Sequence, residues 1–150
     1  MYDPPSSVEL VTAVREFLED HALPNLEGRN AFHARVAANA LAIVARQLER
    51  GPEAEAREQE RLAALLGTEG TLDEQNRELC RRIRSGRLAL DDAGLVSHLR
   101  TTSLDKLAVD QPKYSGYRRA VEKYPSLQPT EPDESHRTLA ADAARPRVPE

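Results

Sequence analysis

Apolar residues recur at three- and four-residue intervals along most of the first 124 positions. This is the period of a helix face, and no stretch alternates as a strand would. Val8, Leu10, Val11, Val14, Phe17 and Leu18 predict a first helix that ends near Pro24. Ser6 is placed to cap it, with Glu9 three residues on completing a capping box. A second helix is predicted from about Asn30 to Arg50, stopped by Gly51, with Pro52 opening the next. Phe32, Val36, Ala40 and Ile43 fall on one stripe of it, widened by Val44 and Leu48, and this stripe reads as its core face.

The third predicted helix, Pro52 to Leu66, begins charged and ends with Leu62, Leu65 and Leu66 before Gly67. Thr71 and Glu74 form a second capping box, opening a helix from Leu72 to about Ser85 with Leu79 and Ile83 inward and Gly86 as terminator. Leu88 and Leu90 are expected to pin the next connection to the core. Asp91 or Asp92 can cap a fifth helix carrying Leu95, Leu99 and Leu107 to about Val109, and Thr101, Thr102 and Ser103 weaken it midway, so a break is expected there. A short sixth helix fits between Gly116 and Tyr124. These elements predict an all-α fold, an up-and-down bundle of about five helices over residues 1–124. Five of the ten prolines lie in residues 125–150, where large apolar groups are few, so this segment reads as a disordered tail.

Composition narrows the function classes. The formal net charge of -4 argues against a nucleic-acid binder, which needs a basic stripe against phosphates. No apolar run is long enough to span a membrane. Met1 to Ser6 lacks the features of a secretory signal, so a cytoplasmic protein is expected. Cys80 is the only cysteine, which excludes an internal disulfide. Aromatic residues make up 4%, so alanine and aliphatic side chains must build the core; each alanine buries little, and added burial against a second copy or a partner would help.

Few residues suggest chemistry. Arg29, one turn before His33, could bind an anion or a carboxylate; the plainer reading is that His33 packs at the edge of the bundle. No ligand-type residue stands one turn from His33, and His21, His98 and His136 follow no ligand spacing, so neither a metal nor another cofactor is expected. Asn39 falls beside the Phe32 and Ile43 stripe, where a buried amide would fix how helices dock. Arg35 lies off that stripe and suits a solvated position or an interface rim. Arg81, Arg82, Arg84 and Arg87 are explained by the negative end of a helix dipole. Cys80 beside Leu79 reads as a small core residue. Tyr114, among Lys113, Tyr117, Arg118 and Arg119, suits a clasp that folds back on the bundle or docks on another protein. No nucleophile elbow, phosphate loop or paired-carboxylate signature is present.

Four runs carry a resemblance: Tyr2-Asp3-Pro4-Pro5, Phe32 to Leu41, Asn76 to Gly86, and Lys106 to Tyr114. Over about residues 1–120 they resemble a small bacterial family of unknown function, encoded beside aminoglycoside-phosphotransferase-like kinases and acyl-CoA dehydrogenases. One of its members serves as the small subunit of a 4-hydroxyacyl-CoA kinase. The resemblance implies a non-catalytic accessory subunit whose phosphotransferase-type kinase partner supplies the nucleotide site and the chemistry. The competing expectation is a small ligand-binding protein or enzyme in which Arg29, His33 and Asn39 converge on an internal pocket.

Overall fold

In the computed structural model, which describes residues 4–129, the regular elements are all helical. They are α1 (Ser7–Glu16), a π-helical turn (Phe17–Ala22), a 3-10 turn (Leu23–Asn25), α2 (Gly28–Leu66), α3 (Leu72–Arg84), α4 (Ala93–Asp110), α5 (Ser115–Lys123) and a 3-10 turn (Pro125–Leu127). The all-α expectation therefore holds for the described residues. None of these helices is long and apolar enough to cross a membrane.

The local signals act as expected at most helix ends. The Ser6 hydroxyl accepts from the Glu9 N–H, and the Glu9 carboxylate accepts from the Ser6 N–H at 2.6 Å. Thr71 and Glu74 repeat the pattern at α3. Asp92, rather than Asp91, caps α4 by accepting from Leu95 N–H at 2.9 Å. Gly67 and Gly86, at φ of 63° and 70°, adopt the left-handed conformation that ends α2 and α3. Thr101, Thr102 and Ser103 do not break α4: the hydroxyls of Thr101 and Ser103 donate back to the carbonyls of Ser97 and Leu99 within one continuous helix.

One expected boundary is absent. Gly51 and Pro52 lie inside α2, which merges the second and third predicted helices into 39 residues. A residue before proline normally avoids the helical conformation because its side chain meets the proline ring. Gly51 has no Cβ, so much of that objection falls away.

The chain divides into two units, whose described parts are residues 4–49 and 50–129. In the first, only Ala38 and Ala45 are buried among the described residues. Ala31, Ala34, Ala38, Leu41 and Ala45 form the shielded face of α2. The stripe expected in the core is exposed: Phe32 at 59%, Val36 at 50% and Ile43 at 37%, with Val44 and Leu48 also exposed. Small side chains permit close backbone approach, and here the alanine face takes the inner position while the larger residues face out.

In the second unit, Leu62, Leu66, Leu79 and Leu95 form a core from α2, α3 and α4, with Leu65, Leu72, Ile83 and Leu88 packed against it. Leu62 and Leu95 are 0% and 1% exposed. The expectations for Leu90, Leu99 and Cys80 fail here. Leu90 and Leu99 are exposed, so Leu88 alone pins the connection after α3. Cys80 is exposed, one position past the inward Leu79 and so turned about 100° away from it. The first residues of the expected tail, Pro125–Leu127, form a turn in contact with α4 and α5; the rest of that tail, from residue 130, lies outside the described residues.

Candidate functional site

The residues singled out from sequence lie at the surface. Arg29 Nε donates to His33 Nε2 at 3.2 Å, so the pair one turn apart does form, with the His33 ring edge-on to Phe32. Both are exposed, as are Arg35 and Asn39. Asn39 is thus not the buried amide expected, because the alanine face of α2 is the one that turns inward. Arg29, His33 and Asn39 are not enclosed in an internal pocket.

Tyr114 stands at the N-cap position of α5 and is exposed. Its ring lies over Gly116: a Cβ added there would sit 2.5 Å from Tyr114 Cε1. Glycine at 116 makes room for the ring. The basic run at the end of α3 is held internally. Arg82 Nε and Arg81 Nη2 each reach the Glu78 carboxylate at 2.7 Å. The hydrogen bond from Arg82, and then the charges of Arg81, Arg82 and Arg87, hold Glu78 below the usual carboxylate range.

The interior polar groups of the second unit were not flagged by the sequence. His98 and Asp105 on α4 are buried, as is Gln75 on α3. Arg61, from α2, approaches Asp105 Oδ2 and Thr102 Oγ1 at 3.4 Å each. Arg57 reaches Asp105 Oδ1 at 3.8 Å and Glu53 at 3.5 Å. Asn76 links α3 to this region by donating to Glu58 at 3.2 Å and to the Leu72 carbonyl at 3.1 Å. His98 Nδ1 and Gln75 Oε1 have no hydrogen-bond partner, while Gln75 Nε2 donates to the Thr68 carbonyl at 3.0 Å.

Burial, followed by the nearby Arg61 charge, depresses the His98 pKa; Glu58 opposes this and Lys106 adds to it. His98 is therefore neutral at pH 7. A neutral imidazole beside an Arg–carboxylate pair has the parts of a proton-transfer site. Arg61, Asp105 and Thr102, however, tie α4 to α2 through their own contacts, and no group of three His, Cys, Asp or Glu among the described residues could hold a metal ion. A groove of about 480 Å³ in the same unit is lined by Gln59, Glu60, Glu69, Gly70 and Gln75, but it is widely open to solvent. The periodicity that could have revealed the interior polar face is Leu95, His98, Thr102, Asp105 and Val109, spaced three, four, three and four.

The other feature of note is apolar. Among the described residues eleven large apolar side chains are exposed, eight of them in the first unit and Leu90, Leu99 and Tyr114 in the second.

The sequence profile of a family described as a domain of unknown function, DUF6285, matches residues 24–114. This is more than half of the chain, and the chain belongs to that family. No curated protein and no solved structure matches it.

Proposed function

We propose that this DUF6285 chain is a non-catalytic accessory subunit of an aminoglycoside-phosphotransferase-like kinase that acts on hydroxyacyl-CoA substrates. The observation that carries the reading is the apolar surface of the second unit, where Leu90 is 76%, Tyr114 52% and Leu99 46% exposed. Apolar side chains of this size left at the surface favour contact with another protein. The polar groups of the second unit support the same reading: Asp105, Arg61 and Thr102 hold one another between α2 and α4. The class of partner comes from the resemblance of the Phe32 to Leu41 and Asn76 to Gly86 runs. In this role the kinase supplies nucleotide, Mg2+ and phosphoryl transfer, and this chain stabilises it or helps present the acyl group.

Co-expression with the phosphotransferase-type kinase of the same genome tests the proposal. The two chains are expected to co-elute, and phosphorylation of a 4-hydroxyacyl-CoA is expected to rise at least about tenfold over the kinase alone, some 1.4 kcal/mol in barrier. A kinase fully active by itself that never binds this chain overturns the reading. So does turnover of the substrate by this chain without the kinase.

A further inference from the structure

The first unit presents two apolar stripes with opposite charge around them. On α1 and the turn after it, Leu10, Val14 and Phe17 stand at positions i, i+4 and i+7, all more than half exposed. This segment carries Glu9, Glu16, Glu19 and Asp20 against a single basic residue, Arg15. On the first part of α2, Phe32, Val36, Asn39 and Ile43 repeat the spacing over i, i+4, i+7 and i+11. Residues 28–48 contain Arg29, Arg35 and Arg46 and no carboxylate. One chain therefore holds both an acidic-rimmed apolar helix and a basic-rimmed one.

We propose that a second copy of this chain covers the first unit, the acidic helix α1 of each copy lying on the basic first part of α2 of the other. Each half of that contact matches apolar stripe to apolar stripe and carboxylates to arginines. A two-fold arrangement makes both contacts at once and leaves neither stripe unpaired. The six exposed apolar residues of the two stripes, Leu10, Val14, Phe17, Phe32, Val36 and Ile43, form the centre of that contact, and the charged rims complete it. Asn39, in the middle of one stripe, supplies the lone polar group that fixes register in helical interfaces. The unit also needs such a cover: with only two alanines buried among its described residues, it has little core of its own. The inference does not depend on the kinase reading, and it leaves Leu90, Leu99 and Tyr114 of the second unit for another partner.

The test is sedimentation of the full chain in the micromolar range, alone and as two charge-reversed variants. The first variant is Glu16→Lys with Asp20→Lys, which makes α1 basic. The second is Arg29→Glu with Arg35→Glu, which makes the first part of α2 acidic. The wild type is expected to sediment as two chains. Each variant alone is expected to lose at least about a hundredfold in self-affinity, because both of its contacts become like-charged. An equal mixture of the two restores pairing, since each contact again joins opposite charges. A wild type that stays monomeric, a variant that pairs as tightly as wild type, or a mixture that fails to pair overturns the proposal. If circular dichroism shows a variant unfolded, hydrogen exchange on the wild type decides instead. Protection over residues 8–48 that rises with chain concentration supports the pairing, and protection independent of concentration overturns it. Binding of the kinase is read separately, by co-elution, so the two ideas fail independently.

Discussion

Helix α2 runs through both units, and its two parts meet opposite fates. Residues 28–48 form its more apolar stretch, yet their large side chains stay exposed and only Ala38 and Ala45 are buried. Residues 52–66 are more heavily charged, yet Leu62 and Leu66 reach the centre of a core completed by α3 and α4. Apolar content does not decide which part of a helix is covered. What decides it is whether neighbouring helices supply matching large residues, as Leu79 and Leu95 do for Leu62. Where the chain supplies mainly alanines on the shielded face, the larger side chains remain outside.

Substitutions can break this contrast, and the largest effect is expected in the second unit. Leu62→Ala removes a fully buried side chain and should lower unfolding stability by about 3 kcal/mol in chemical denaturation. Asp105→Ala takes the shared carboxylate from Arg57 and Arg61; both arginines are partly exposed, so a loss of about 2 kcal/mol is expected by the same measurement. Thr71→Ala removes one half of a capping box and should cost about 1 kcal/mol, restored largely by Thr71→Ser.

Acidification sharpens the contrast in another way. His98 has a lower pKa folded than its ordinary 6.5, so below that value the unfolded state binds more protons. Stability should therefore fall as pH drops below 6.5, measured by melting temperature, and His98→Gln should flatten that limb. The capping carboxylates Glu9 and Glu74, lowered by hydrogen bonds from Ser6 and Thr71, add their own loss of stability only as pH nears and passes below 4.5. The smallest effect belongs to Val36→Ser on the exposed stripe. It should change the stability of the single chain by less than about 0.5 kcal/mol and show instead as weaker self-association in sedimentation.

Helix ends were legible because their causes are local. Ser6 with Glu9, Thr71 with Glu74, Asp92, Gly67 and Gly86 each act within one turn of chain. The leucine core of the second unit was legible for a related reason, since Leu62, Leu66, Leu79 and Leu95 stand on strongly patterned helices. The inward face of α2 was not legible, because an alanine face and a larger apolar face coexist on one helix and only packing chooses between them. No break occurs at Gly51 and Pro52, because a glycine before the proline removes the side chain that would have clashed with its ring. Of the candidate site, the Arg29–His33 pairing was visible as a one-turn spacing. His98 and Asp105 were not, since a histidine and an aspartate among leucines look like surface until a neighbouring helix brings Arg61 beside them.

Pro52 has a consequence of its own. Its nitrogen carries no hydrogen, so the carbonyl of Leu48 gains no backbone donor from it and the amide ladder of α2 has a missing rung. Fraying that starts at either end can stop at this gap, which divides α2 into two segments able to open separately. Amide exchange along it should show a step in protection on crossing residue 52, and Pro52→Ala should close the gap and make the whole helix exchange as one.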